Sequence, residues 1–105
     1  MKRGQVWEVR LGPVVGHEID KARPVVIVGE PRGSIVTVLP LTGRRRRWLN
    51  QVRILPPEGG LRIPSYTSDQ IRSVDRDRFL GFRGELSGET MAEVDEALAS
   101  MLCLA

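Results

Sequence analysis

The sequence predicts a small, mainly β fold closed by one C-terminal helix, a partly open barrel with the helix laid across it. Three observations carry that expectation. Short alternating or β-branched runs fill the first half, each bounded by Gly and Pro signals. The last segment alone carries apolar residues at helical spacing. No internal repeat or low-complexity linker interrupts the 105 residues, a length that suits one core and one domain over residues 1–105.

Gln5 to Leu11 alternates, with Trp7, Val9 and Leu11 on one face and Gln5, Glu8 and Arg10 mostly on the other. Gly12-Pro13 breaks it, and a polar loop follows to Arg23. Pro24 to Val28 reads as a strand buried on both sides, and Gly29 to Gly33 as a turn. Ile35 to Leu39 is a third strand that should pair with the second as a hairpin. Pro40-Leu41-Thr42-Gly43 ends it and sends Arg44-Arg45-Arg46-Arg47 into a loop. Gln51 to Leu55 gives a fourth strand before Pro56-Pro57. Leu61 to Ser73 stays open between short strands and loop, and Val74 to Leu80 fits about one helical turn. From Ser87, a plausible N-cap, the spacing of Met91, Val94, Leu98, Met101 and Leu102 predicts a helix with Glu93, Asp95 and Glu96 outside. Glu89 sits where the helix dipole favours an anion.

Composition narrows the function. Residues 1–84 hold all sixteen Lys and Arg against eight acids, a net of +8, whereas residues 85–105 hold five acids and no cation. Fourteen of the cations are Arg, whose planar fork matches phosphate bidentately and stacks on bases. A basic body with an acidic end points to a phosphate-bearing polymer, although an Arg-preferring genome gives the same ratio. The longest apolar run, Pro24 to Val28, is far below the roughly 20 residues of a membrane-spanning helix, so no membrane role is expected. No apolar segment follows the basic N-terminus, so no signal peptide is expected. One cysteine, Cys103, excludes an intramolecular disulfide and a cysteine-based zinc site, and predicts a cytoplasmic setting. Its place on the apolar helix reads as core.

Hydrolytic constellations are missing. The sequence has no His pair, no His–carboxylate cluster at metal-ligand spacing and no GxxxxGK[ST] loop, so no metal or cofactor is predicted. Asp75 and Asp77 fit surface solvation better than a metal, and His17 fits a solvated loop. The residues alone end at an Arg-rich β domain that binds nucleic acid.

Three patterns in order go further: Arg3-Gly4-Gln5-Val6-Trp7 with Gly16-His17-Glu18 and Arg23-Pro24-Val25-Val26-Ile27-Val28; Leu39-Pro40-Leu41-Thr42; and Ser68-Asp69-Gln70-Ile71-Arg72-Ser73-Val74-Asp75 with Gly84, Leu86 and the acidic helix. Together they resemble the MazF/PemK-like toxins of bacterial toxin–antitoxin systems from about Lys2 to Leu104. The resemblance implies a homodimeric SH3-like barrel of the CcdB/MazF type. Its implied activity is sequence-specific, metal-independent cleavage of single-stranded RNA, by attack of a 2′-hydroxyl on the adjacent phosphate.

On that resemblance, Arg23 matches the catalytic arginine. Pro24 biases it to extended backbone, and its guanidinium can clamp phosphate oxygens but is a poor base; a surface ion pair with Glu18 or Asp20 is the alternative. Thr42 matches the threonine or serine that ends the third strand, and Glu18 the loop glutamate. Gly16, His17 and Lys21 in the loop, Arg44 and Arg45 after the threonine, and the pair Asp69 and Gln70 are the implied RNA contacts. Trp48 fits a base stack and, equally, a core or interface position. Ile19, Asp20, Lys21 and Ala22 depart from the family's glutamine and small residues, and His17 replaces a frequent serine. The implied partners are single-stranded RNA, a second copy of the chain, and a cognate antitoxin whose flexible acidic segment fills the RNA groove. The alternative on the same fold is a non-enzymatic toxin that poisons DNA gyrase. Such proteins usually end in an aromatic, whereas this chain ends Leu102-Cys103-Leu104-Ala105.

Overall fold

The computed structural model describes residues 1–12, 21–47 and 50–104. Seven strands are followed by one helix: β1 (Gln5–Arg10), β2 (Ala22–Ile27), β3 (Ile35–Thr42), β4 (Arg53–Ile54), β5 (Ser65–Thr67), β6 (Arg72–Asp75), β7 (Phe79–Glu85) and α1 (Gly88–Met101). Two 3₁₀ turns, Glu58–Gly60 and Arg76–Arg78, join β4 to β5 and β6 to β7. The strands form one sheet in the order β4-β5-β3-β2-β1-β7, with β6 also paired to β3. Every pairing is antiparallel. The result is the expected mostly β half-barrel with a C-terminal helix.

β2 is apolar on both faces because it lies between two cores. Val26 and Val28 belong to a cluster with Val6, Leu39, Leu41, Ile54 and the α1 residues Met91, Val94 and Leu98. Val25 and Ile27 belong to a second cluster with Val9, Leu11, Val36, Val38 and Val74, against which Trp7 and Phe79 pack. β1 is divided in the same way, so Val6 and Val9 are both fully buried on opposite sides. The hairpin of β2 and β3 forms as expected, with Val25 opposite Pro40 and Ile27 opposite Val38.

β3 runs past the expected end at Leu39 because its second edge is shared. Ile35 to Val38 pair with β6, and Leu41 and Thr42 pair with β5. Pro40 offers no N–H, and its carbonyl accepts from the Ser68 amide at 3.1 Å and hydroxyl at 2.7 Å. β4 is only two residues long, against an expectation of five. The Val52 amide donates to the Thr67 hydroxyl at 3.0 Å, so a side chain replaces a ladder bond there. The open stretch from Leu61 to Ser73 contributes β5 and part of β6. The turn expected near Val74–Leu80 is the 3₁₀ turn, where Asp75 accepts from the Asp77 amide at 2.9 Å. β7 follows it unforeseen.

The helix starts as expected, with the Ser87 hydroxyl accepting from the Thr90 amide at 3.1 Å. Met91, Val94, Ala97 and Leu98 face the core, and Arg3 ties the acidic face to the barrel through Asp95. Leu102 lies past the last turn and is exposed. Cys103 is also beyond the helix and exposed, with φ of 58°, which corrects its assignment to the core.

The turn at Gly59-Gly60 packs backbone to backbone on β7. A Cβ on Gly60, whose φ is +66°, would sit 2.0 Å from the Arg83 carbonyl oxygen, whereas one on Gly33, at φ +57°, meets nothing within 4 Å. Gly33→Ala should therefore show only the left-handed backbone penalty, roughly 1–2 kcal/mol. Gly60→Ala adds the displacement of β7 and should lower the urea midpoint by clearly more; equal midpoints for the two variants contradict the packing.

Glu58 caps the same region, its carboxylate accepting from the Ser87 amide at 2.9 Å. Burial pushes its carboxyl up, but hydrogen bonds from Thr90 and Ser87 outweigh that and hold it below its ordinary value of 4.5. A folded-state value below the unfolded one stabilises fully above the unfolded value and is lost as pH falls through the folded one. The wild type should lose this increment as the pH falls through and below about 4.5. Glu58→Gln should melt lower at neutral pH and show a shallower acid limb in thermal melts.

Candidate active site

The β2–β3 hairpin sets the geometry. With Val25 opposite Pro40, two residues further along each strand stand Arg23 and Thr42, at the same end of the sheet. Pro24 fixes its own φ and biases Arg23 to extended backbone, so the guanidinium leaves from a strand rather than a loop. Both residues are half-buried. They line one cleft of about 260 Å³ together with Glu8, Pro24, Leu41, Gly43, Leu61, Arg62, Ile63, Ser65 and Arg83.

Arg23 Nε is buried and has no hydrogen-bond partner among the described residues. A buried N–H without an acceptor costs about 1–3 kcal/mol, so the geometry leaves a donor ready for an incoming oxygen. The Thr42 hydroxyl oxygen accepts from the Arg44 amide at 3.2 Å, which leaves its proton available to a further acceptor. A fixed cation and a free hydroxyl at one strand end form an anion site, suited to a phosphodiester.

The basic loop after Thr42 is held by a residue that the sequence did not single out. Gln51 accepts from the Arg46 amide at 2.8 Å and donates to the carbonyls of Arg44 at 3.3 Å and Thr67 at 2.9 Å. Arg45 lies over the Tyr66 ring at 5.8 Å, and Arg44 is exposed. Lys21 is exposed just before β2. Asp69 and Gln70 fall in the turn between β5 and β6, away from the Arg23 cleft. Asp69 instead lines a second cleft of about 320 Å³ with Asn50, Gln51, Ser68 and the end of α1. The structure thus unites Arg23 with Thr42 and puts Asp69 in a separate cleft, joined through Gln51 and the Arg44–Arg46 loop. Gly16, His17, Glu18 and Trp48 lie outside the described residues, as does any ion pair of Arg23 with Glu18 or Asp20.

Glu8, Arg62 and Arg83 are the charged cleft residues that the sequence did not reveal. Glu8 alternated outward in the strand pattern, and Arg83 lies in the unforeseen β7. The charges of Arg83 and Glu8 meet at 2.7 Å, and Arg83 also donates to the Gly60 carbonyl at 3.2 Å.

A cleft of this kind on a half-barrel with one C-terminal helix defines a small β protein with an anion site at the end of its central hairpin. Residues 2–102 match the model of the PemK-like, MazF-like toxins of type II toxin–antitoxin systems, and the chain belongs to that family. It is 32% identical over 109 residues to endoribonuclease MazF9 of Mycobacterium tuberculosis, covering 93% of this chain and 92% of the relative. It is also 32% identical over 111 residues to endoribonuclease EndoA of Bacillus subtilis, covering 99% and 96%. Among solved structures, it superimposes with a TM-score of 0.73 on a mycobacterial endoribonuclease in complex with its cognate antitoxin. That match is 27% identical and covers 95% of this chain and 90% of the other.

Gln51→Ala should free the loop without disturbing the barrel. A lost hydrogen bond of about 1 kcal/mol corresponds to roughly five- to tenfold faster exchange of the Arg46 amide with solvent deuterium. Unchanged exchange would show that Gln51 does not hold the loop.

Proposed function

We propose that this chain is the toxin of a toxin–antitoxin pair and that it cuts single-stranded RNA at a short sequence without a metal. It is an endoribonuclease by family, and the relatives described above carry that activity in their names. The observation that carries the reaction is the pairing of Arg23 and Thr42 in one cleft, with a buried Arg23 donor that no described residue fills.

The chemistry follows from the groups present. The 2′-oxygen forms a bond to phosphorus while the bond to the 5′-oxygen of the next nucleotide breaks, giving a 2′,3′-cyclic phosphate and a 5′-hydroxyl. Negative charge grows on the non-bridging oxygens as the phosphorane forms. Arg23 stays protonated and meets that charge. Thr42 donates its free proton to the same phosphate or to the 2′-oxygen. The proton lost from the 2′-hydroxyl and the proton gained by the leaving oxygen need a base and an acid; Glu18 is the candidate base that the family resemblance supplies, and His17 a minor one.

Base reading falls to the second cleft and to the loops beside the first. Asp69 and Gln70 present carboxylate and amide groups to the Watson–Crick edge of an unstacked base, with Gly16, His17 and Lys21 on the loop side. Arg44 and Arg45 track the backbone, their loop shaped by Gln51. A second copy of the chain completes a homodimer. A cognate antitoxin partner is supported by the similar mycobacterial endoribonuclease in complex with its own antitoxin; here the antitoxin covers the basic cleft with an acidic, flexible segment. No helix among the described residues is long and apolar enough to cross a membrane.

The test is incubation with a long single-stranded RNA in EDTA, with 5′ ends mapped by primer extension. The expected result is a set of discrete cuts sharing a short motif. Arg23→Ala should abolish them, and Thr42→Ala should slow them by about 10²–10³, the usual effect of losing one oxyanion donor. Cuts that vanish with EDTA would overturn the metal-free mechanism. Intact RNA together with inhibited gyrase supercoiling would overturn the nuclease in favour of the gyrase poison.

A further inference from the structure

The Arg23 cleft does not end at Arg83. A neighbouring cleft of about 420 Å³ is lined by Glu8, Gly60, Arg62, Leu80, Gly81, Phe82 and Arg83, and it shares Glu8, Arg62 and Arg83 with the first. The two form one groove running from the end of the β2–β3 hairpin onto β7, which is the edge strand beside β1.

Two cations along this groove have donors to spare. Arg62 is exposed and makes no hydrogen bond or ion pair among the described residues. Arg83 spends one terminal nitrogen on Glu8 and the other on the Gly60 carbonyl, while its buried Nε has no partner among the described residues. The register explains why it reaches the groove. Val6 opposes Gly84 and Trp7 opposes Phe82, so Arg83 is the extra residue of a bulge and turns to the side of Glu8. Opposite Glu8 stands Gly81, where a Cβ would meet nothing within 4 Å, so the floor of the groove is open.

We infer that the groove holds a flanking phosphate subsite, in which Arg62 and Arg83 contact the RNA backbone beyond the nucleotides that Arg23 and Thr42 act on. The inference rests on the endoribonuclease reading. Charge decides the occupant: three arginines against one glutamate favour a polyanion over an apolar partner. Neither arginine is aimed at a base by anything in the geometry, so the subsite adds affinity without adding to the cleavage motif. It belongs to substrate binding, and the cost of the unfilled Arg83 donor is relieved when a phosphate oxygen arrives.

The experiment uses RNA made uncleavable by a 2′-deoxyribose at the mapped cut. A short oligonucleotide covers the motif alone, and a long one adds three nucleotides on each side. Each phosphate contact to a single strand steepens log Kd against log salt by about 0.7, so two contacts should shrink the affinity advantage of the long RNA about sevenfold between roughly 50 and 200 mM salt. In Arg62→Gln and Arg83→Gln each, about half of that salt-dependent advantage should disappear. Gly81→Val fills the groove floor without touching a cation and should remove most of it. This variant keeps the test open if the Arg83 change destabilises the fold.

A wild type that gains nothing from the longer RNA overturns the inference while leaving the nuclease intact. So do variants that keep the full salt-dependent advantage. Unchanged RNA slopes with a lower sedimenting mass in Gly81→Val would assign the groove to self-association instead. A wild type that neither binds nor cuts either RNA would remove the endoribonuclease reading and this inference together.

Discussion

The constraint on which the rest depends is that β2 has no solvent face. Val25 and Ile27 are sealed by one apolar cluster, and Val26 and Val28 by another. A one-residue slip of β2 would exchange its two sets of side chains and unpack both clusters at once, so its register is strongly fixed. That rigidity is passed to Arg23 at its start. A guanidinium on a long, flexible side chain is a poor positioning device by itself. Launched from a strand whose register two cores enforce, and followed by Pro24, it becomes one.

β3 does the second part of this work by changing partners midway. Its first half is held by β6 and its last two residues by β5, with Ser68 bonding to the one carbonyl where Pro40 interrupts the ladder. The strand therefore reaches Thr42 before the chain turns away. Gln51, one strand removed, shapes the basic loop that follows by binding Arg44, Arg46 and Thr67. The acidic helix packs beside this region, its C-terminal end lining the second cleft with Gln51. It lies on the opposite cluster, held by Val94 and Leu98 in the core, by Arg3 at Asp95, and at its start by Glu58.

What the sequence disclosed depended on burial. β2 and the helix were legible because their apolar residues are packed, on two faces and on one stripe. β7 was not, since none of its seven residues is buried and Gly81 and Gly84 interrupt any alternation. The length of β3 was underestimated because Pro40 reads as an end, and nothing local shows that Ser68 will donate to its carbonyl. β4 was overestimated because the hydroxyl of Thr67, fifteen residues away, takes the Val52 amide. Cys103 was misplaced by continuing the helical stripe past Met101, where the chain in fact turns into the left-handed region. The site divided similarly. Arg23 and Thr42 could be named from their motifs, while Glu8, Arg62 and Arg83 required the β1–β7 bulge and the Gly59-Gly60 turn, both products of long-range packing.

The two unfilled guanidinium donors show where this fold trades stability for readiness. Among the described residues, neither the buried Nε of Arg23 nor that of Arg83 has an acceptor, although buried N–H groups are paired in the great majority of cases. A buried N–H that stays unpaired costs about 1–3 kcal/mol, a considerable part of the few kcal/mol by which small domains are stable. A carboxylate beside either one would remove that cost, and Glu8 is close enough to show that the fold can place one. It takes one terminal nitrogen of Arg83 and leaves Nε free. A fully paired guanidinium would have to surrender its partner before it met a phosphate, at the expense of affinity and of transition-state stabilisation alike. Leaving the donor unpaired moves that expense into folding, where the two packed cores around β2 can absorb it.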